Sequence, residues 1–254
     1  MPRYPGPIGF FAMCPEQIHP HRTLDKWAGP LYPLAVMKFT LLSMVASAAL
    51  SAVVSAADGW LPMLNGTDLT GWKSNITTED QPAQKADVFT VKNGELVVHG
   101  GRAHLFYVGA EGKAKFKNFE FKAKVKTTAG SNSGIYFHTQ FEPKGWPSQG
   151  FECQVNATHL DRKKTGGLYA IADVMDKAPN KDGEWFDYGI KVEGNHIVIS
   201  INGKVTTDWT QPADWDPAKI NMPGRKLGDG TIALQGHDPK STTYYKDLFI
   251  KPLP

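Results

Sequence analysis

Three short segments carry proton-transfer and hydroxyl-binding side chains at alternating positions. In NSGIYFHTQF (132–141), Tyr136, His138 and Gln140 alternate with Ile135, Phe137 and Thr139. GFECQV (150–155) sets Glu152 and Gln154 against Phe151, Cys153 and Val155, and TIALQGHD (231–238) sets Gln235 and His237 against Ile232 and Leu234. Successive side chains of a strand point to opposite faces, so each segment is expected to have one apolar face and one chemistry-bearing face. An ordinary wet face is that of FEFKAKVK (119–126), which offers Lys and Glu. Tyr, His, Glu and Gln instead suit hydrogen bonding to hydroxyls, proton transfer and stacking on a sugar ring. A single Gln or His on a sheet face is ordinarily a half-exposed member of a cross-strand pair. Recurrence in three segments is what suggests a shared concave groove, although alternation does not itself make the strands neighbours.

The elements that must position these residues are strands. VFTVKNGELVVHG (88–100) places two apolar runs around Asn93-Gly94, and YGIKVEGNHIVISINGKV (188–205) turns at Glu193-Gly194-Asn195 and again at Asn202-Gly203. Such Asn-Gly pairs mark hairpins. TIALQGHD (231–238) and TTYYKDLFIKPL (242–253) read as two more strands, and no long amphipathic helix or internal repeat is evident. Many short strands with Gly/Asn turns predict an all-β sandwich or barrel of antiparallel sheets. Irregular stretches at 141–150, 156–167 and 173–187 are expected to be binding loops.

From Met37 the chain runs MKFTLLSMVASAALSAVVSA, a lysine followed by a weakly apolar stretch and Val54-Ser55-Ala56. This is the layout of a secretory leader cleaved after Ala56, so residues 37–56 are expected to be a signal peptide rather than a membrane anchor. Residues 1–36 are then read as an extension upstream of the true start, and 57–254 as one exported domain, periplasmic or secreted. Without Arg3, Arg22, Lys26, Lys38, Glu16 and Asp25 the remainder carries 24 basic against 23 acidic residues. That balance argues against nucleic acid or an anionic membrane as partner. Cys153 stands alone in this region, which excludes an intramolecular disulfide and a cysteine zinc site. Nothing in the sequence sets an oligomeric state.

A series of blocks resembles the 3-keto-disaccharide hydrolase family, also described as 3-keto-glucoside 1,2-lyase/3-keto-2-hydroxyglucal hydratase. They are LPMLNGTDLTGW (61–72), FKNFEFKAKVK with SNSGIYFHTQ, GFECQV, KTGGLYA (164–170), GEWFDYGIKVEGNHIVISINGK, and TIALQGHD with YYKDLFIKPL. Their order spans nearly all of 57–254. Three positions depart from the family pattern: His138 where Arg is expected, Phe186 where Asn follows Trp185, and Asp238 where Gly is common. The resemblance implies a concanavalin A-like jelly-roll sandwich of two antiparallel sheets, with ligand held on the concave one.

It also implies a chemistry. Conventional glycosidases flank the scissile bond with two carboxylates. Laminarinase-type glucanases carry theirs as Glu-x-Asp-x-x-Glu, which is absent here, and GFECQV supplies a single acid. In a 3-keto-sugar the ketone acidifies the C2 proton, so one base can drive elimination of the C1 substituent before water adds back. Glu152, His138 and His237 are the titratable candidates for this proton transfer, with Glu152 or a histidine as base. Gln154 and Gln235 are expected to hold hydroxyls, Lys164 to stabilise enolate charge, and Tyr136, Tyr169 and Trp185 to stack on the sugar. Each also has a structural reading: Lys164 as a solvated loop lysine, and Trp185 as core. No cofactor is required, yet His138, Glu152 and His237 are acceptable ligand types for a divalent metal ion. Local spacing does not support such a site. His99, His104, His159 and His196 are expected to be structural or exposed, with His104 and His159 the first to reconsider. Two alternatives remain open: a lectin-like carbohydrate-binding domain, and ordinary glycoside hydrolysis with Asp173, Asp176 or Glu184 as second acid.

Overall fold

The computed structural model describes residues 58–76 and 87–254. The expected leader at 37–56 and the upstream segment 1–36 lie outside the described residues. No helix among the described residues is long and apolar enough to cross a membrane.

Thirteen strands lie among the described residues. The first six are β1 (Leu61–Pro62), β2 (Trp72–Ser74), β3 (Phe89–Lys92), β4 (Glu95–Tyr107), β5 (Asn118–Thr127) and β6 (Asn132–Thr139). They are followed by β7 (Phe151–Asn156), β8 (Lys163–Leu168), β9 (Ala172–Met175), β10 (Phe186–Glu193), β11 (His196–Ile201), β12 (Lys204–Thr210) and β13 (Thr231–Leu253). A short 3-10 turn, Pro217–Ile220, is the one helical element among the described residues. All pairings are antiparallel, and the main path runs β12-β11-β10-β5-β13-β6-β7-β8-β9.

The jelly-roll sandwich arises because β4 and β13 belong to both layers. The first part of β13, Thr231–Gly236, pairs with β6 on one side and with Ala103–Phe106 of β4 on the other. Its later part pairs with β5 and with Leu96–His99 of β4. The ladder breaks register between these parts, at Gly236/Asp238 and Asp238/Thr242. Bulges of this kind bend a strand and let it pass from one sheet to the next. The two strands expected at 231–238 and 242–253 are therefore one bent strand. Likewise the loops expected at 156–167 and 173–187 are shortened by β8 and β9.

Alternation fills the interior as expected. Phe119, Phe121, Ala123 and Val125 of β5 are buried, and their Lys and Glu neighbours are not. Ile135, Phe137, Phe151, Cys153, Val155, Ile232 and Leu234 join them in one core between the sheets. Burying side chains of this size stabilises the fold by about 1.5–3 kcal/mol each. The Asn93-Gly94 and Asn202-Gly203 turns take positive φ at both residues, as a two-residue hairpin of type I′ requires.

Candidate active site

β6, β7 and the first part of β13 lie side by side, so the three chemistry-bearing faces become one surface. Tyr136 sits directly across from Glu152, and Gly134 across from Gln154. Gly134 is needed there: a Cβ at this position would lie 2.7 Å from Glu152 Oε1. Over this surface opens a cleft of ≈ 470 Å³ whose lining includes Tyr136, Trp146, Glu152, Gln154, Arg225 and His237. Gln235, Tyr169, Asn132 and Asp161 also border it.

Glu152 is the centre of this cleft. It is only 7% exposed. Tyr136 Oη donates to its Oε2 at 2.7 Å, Gln235 Nε2 donates to its Oε1 at 3.1 Å, and the Arg225 guanidinium lies 3.5 Å from Oε2. Burial raises the Glu152 pKa, and Arg225, Tyr136 and Gln235 offset only part of that rise. Burial also holds Tyr136 well above the ordinary tyrosine value, so its hydroxyl stays a neutral donor. The side-chain oxygens of Gln154 and Gln235 are buried without a hydrogen-bond partner among the described residues, an unmet acceptor capacity beside Glu152. The arrangement is a desolvated base ringed by donors, with a cation beside it, suited to proton abstraction and to stabilising developing oxyanion charge.

Six of the nine residues singled out in the sequence meet here: Glu152, Gln154, Gln235, His237, Tyr136 and Tyr169. Three do not. His138 adopts φ 54°, and β6 carries an extra residue there relative to β13, as the Thr231↔Thr139 and Ala233↔Tyr136 pairs show. This bulge breaks the alternation on which its facing was read. His138 Nε2 donates to the Lys117 carbonyl at 2.8 Å, and its Nδ1 accepts from Gly228 N–H at 3.3 Å. Both ring nitrogens are thus committed to backbone, and the ligand set His138, Glu152 and His237 is not assembled. Lys164 is buried, with Nζ donating to the carbonyls of His159 and Asp161 at 2.7 Å each, so it fastens a loop rather than facing substrate. Trp185 lies against Lys126 and Lys246, away from the cleft lining.

Sequence reasoning missed Arg225 and Trp146. Arg225 sits in the Pro/Gly-rich connection before β13, where no periodicity marks it. Its Nη1 donates to Gly150 O at 3.1 Å, which aims the guanidinium at Glu152. Trp146 had a weak signal, an aromatic within the expected binding loop 141–150. It stays 43% exposed at the cleft edge, its ring packed on His104 and His237.

Comparison with known proteins decides the family. A family model described as the 3-keto-alpha-glucoside-1,2-lyase-like domain matches residues 59–251. The chain belongs to this family. A 3-keto-disaccharide hydrolase of Bacteroides thetaiotaomicron is 23% identical over 237 residues, covering 78% of this chain and 79% of that protein. A Parabacteroides distasonis structure, provisionally described as a glycosyl hydrolase, superposes with a TM-score of 0.65 at 25% identity. It covers 79% of this chain and 97% of its own. A Bacillus subtilis protein of galectin-like fold shares the fold alone, with a TM-score of 0.52 at 11% identity over 76% of this chain and 94% of that one. Family membership places the protein among carbohydrate-active enzymes of the hydrolase and lyase class.

Proposed function

We propose that the protein cleaves 3-keto-glycosides by base-assisted elimination, followed by hydration of the unsaturated sugar. The observation that carries this reading is a single desolvated glutamate at the floor of a sugar-sized cleft, with donors on both of its oxygens. Glu152 removes the C2 proton that the C3 ketone acidifies. The electron pair passes onto the ketone oxygen as an enolate, whose charge Arg225 is placed to stabilise. Re-forming the ketone expels the C1 substituent with its bonding electrons, and that oxygen takes a proton. Water then adds across the C1–C2 double bond. Tyr136 and Gln235 keep the Glu152 carboxylate in place, and Tyr169 and Trp146 offer faces for the sugar ring.

A purely lectin-like groove is disfavoured because it has no use for a buried acid, which costs stability in its charged form. For ordinary hydrolysis, the three second acids considered in the sequence lie elsewhere. Asp176 pairs with Arg162, Asp173 faces Lys163, and Glu184 lies near Lys181. Asp161 does border the cleft, with its Oδ1 accepting from Lys163 N–H at 2.9 Å, and it gives the hydrolase reading its one foothold.

Incubation with 3-keto-trehalose, 3-keto-glucosides and their unoxidised parents tests the proposal. The expected result is release of the C1 substituent from keto-sugars alone, lowered about 10²–10⁴-fold by Glu152→Gln and little changed by Asp161→Asn. Cleavage of the unoxidised glycosides that depends on Asp161 would establish the hydrolase reading instead.

A further inference from the structure

At the rim of the cleft, two histidines and an aspartate turn toward one another. One donor atom from each of His159, His237 and Asp238 lies within 4.8 Å of the others. Asp238 Oδ2 is the common point, 3.1 Å from His237 Nδ1 and 4.0 Å from His159 Nε2. We propose that His159, His237 and Asp238 form a binding site for a first-row divalent transition-metal ion.

The distances suit a cation. Ligands about 2.0–2.2 Å from an ion stand roughly 3.0–3.5 Å apart in octahedral or tetrahedral geometry. The His237–Asp238 separation already meets this, and His159 needs to close by about 0.5–1 Å toward Asp238. The surroundings brace the ligands as an outer shell does. Ser241 Oγ donates to Asp238 Oδ2 at 2.5 Å, and Lys240 N–H donates to Oδ1 at 2.9 Å. On the far sides of the rings, Asp161 N–H donates to His159 Nδ1 at 3.1 Å and the Asn132 amide nitrogen lies 3.2 Å from His237 Nε2. These contacts set the ring planes, and ion binding, which needs a proton on each outer ring nitrogen, would displace them. Lys164 fixes the loop that bears His159 by gripping its carbonyls.

Ligand chemistry selects the ion. Two imidazoles and one carboxylate favour Zn²⁺, Mn²⁺, Fe²⁺ or Co²⁺ over Ca²⁺ and Mg²⁺, which take oxygen ligands. Three protein ligands also leave coordination positions open. His237 lines the cleft, so those positions face the place where substrate would lie. Resting on the proposed function, the natural occupant is the adjacent hydroxyl and ketone of a 3-keto-sugar, a bidentate pair that closes a five-membered chelate ring.

The site is tested without any sugar. The full chain, stripped with chelator, is titrated with Zn²⁺ by calorimetry and with Mn²⁺ by electron paramagnetic resonance. The expected result is one bound ion per chain, with affinity lowered at least about tenfold by His159→Ala, His237→Ala and Asp238→Asn. His196→Ala is expected to leave it unchanged, because the exposed His196–Asp208 pair has the same chemistry without the third ligand. Thermal melting of each variant separates ligand loss from unfolding, and His159→Gln and His237→Gln replace any alanine variant that melts early. Absence of stoichiometric binding, or binding that these substitutions leave intact, would overturn the site. Ion binding without any keto-sugar turnover would leave the site standing and count against the proposed function alone.

Discussion

Glu152 is placed where its charge is costly and useful. Only its ionised form can accept a proton, and burial lifts its pKa above the ordinary 4.5. Turnover should therefore fall as pH drops through that raised value, giving kcat/KM an acidic limb above the usual glutamate range. Arg225 pulls the other way, favouring the carboxylate. Replacing it with methionine removes that attraction, so the limb should move up by about one pH unit. A pH–rate profile that begins to fall only below the ordinary glutamate value, or that Arg225→Met leaves in place, would remove Glu152 from the role of base. Position matters as much as charge. Gly134→Ala would bring a methyl group to 2.7 Å from Oε1 and 3.0 Å from Cγ of Glu152. The carboxylate must then turn from Tyr136 and Gln235. Displacements of this size cost about 10²-fold in rate. We expect kcat/KM to fall by that order while the melting temperature moves little, since β6 itself can keep its ladder. Unchanged kinetics in a folded Gly134→Ala protein would show that the position of the carboxylate does not limit the reaction.

At the scale of elements, the sheets supply the base and a loop supplies the cation. The connection from β12 to β13 is tied down at several points. Trp215 Nε1 donates to Arg225 O at 2.7 Å, Leu227 N–H donates to Gln211 Oε1 at 2.9 Å, and Gly150 N–H donates to Gly224 O at 3.0 Å. Gly224 is the tightest of these positions, because a Cβ there would stand 1.9 Å from the Ser148 carbonyl oxygen. Backbone cannot swing aside as a side chain would, so Gly224→Ala must lift the loop and carry Arg225 from Glu152. The expected signature resembles Arg225→Met: reduced kcat/KM and an acidic limb moved upward, with an unchanged far-ultraviolet circular dichroism spectrum. A normal limb would mean that the loop re-seats. This division also explains what could be read in advance. Period-two alternation is a local property, so it exposed Glu152, Gln154, Gln235 and His237, and with them the core. His138 defeated it because one inserted residue inverts facing, and a bulge is fixed by contacts across strands. Arg225 was invisible for the opposite reason, since a loop residue has no period. Lys164 and Trp185 carried suitable chemistry on segments whose direction only tertiary packing sets.

Across the whole molecule, the cleft is coupled to stability through His104. Its Cα partner in the ladder is Gln235, and its ring stands edge-on to Tyr136 at 5.2 Å, beneath the site. The residue is fully buried, and no hydrogen bond of normal geometry reaches its ring nitrogens, although the Gly145 backbone exerts a weak opposing pull. Burial, then the neighbouring Arg102, His237 and Arg225, push its pKa down from 6.5 to about 3. The unfolded chain therefore binds a proton at His104 that the folded protein refuses. Folding stability from this group is complete above pH 6.5, and it is lost progressively as pH falls from there toward about 3. At pH 5 the loss amounts to about 2 kcal/mol. Glu152 acts in the opposite sense, since its raised pKa makes the folded state bind a proton more readily than the unfolded chain just above pH 4.5. His138 and His159, both lowered, add to the acid sensitivity. Comparison with a variant isolates the one residue. Denaturant unfolding at pH 7 and pH 5 should show a smaller drop in His104→Gln than in the parent, by about 2 kcal/mol, because glutamine does not titrate. Equal drops in the two proteins would mean that His104 takes up its proton in the folded state, and that the floor of the cleft is open to water.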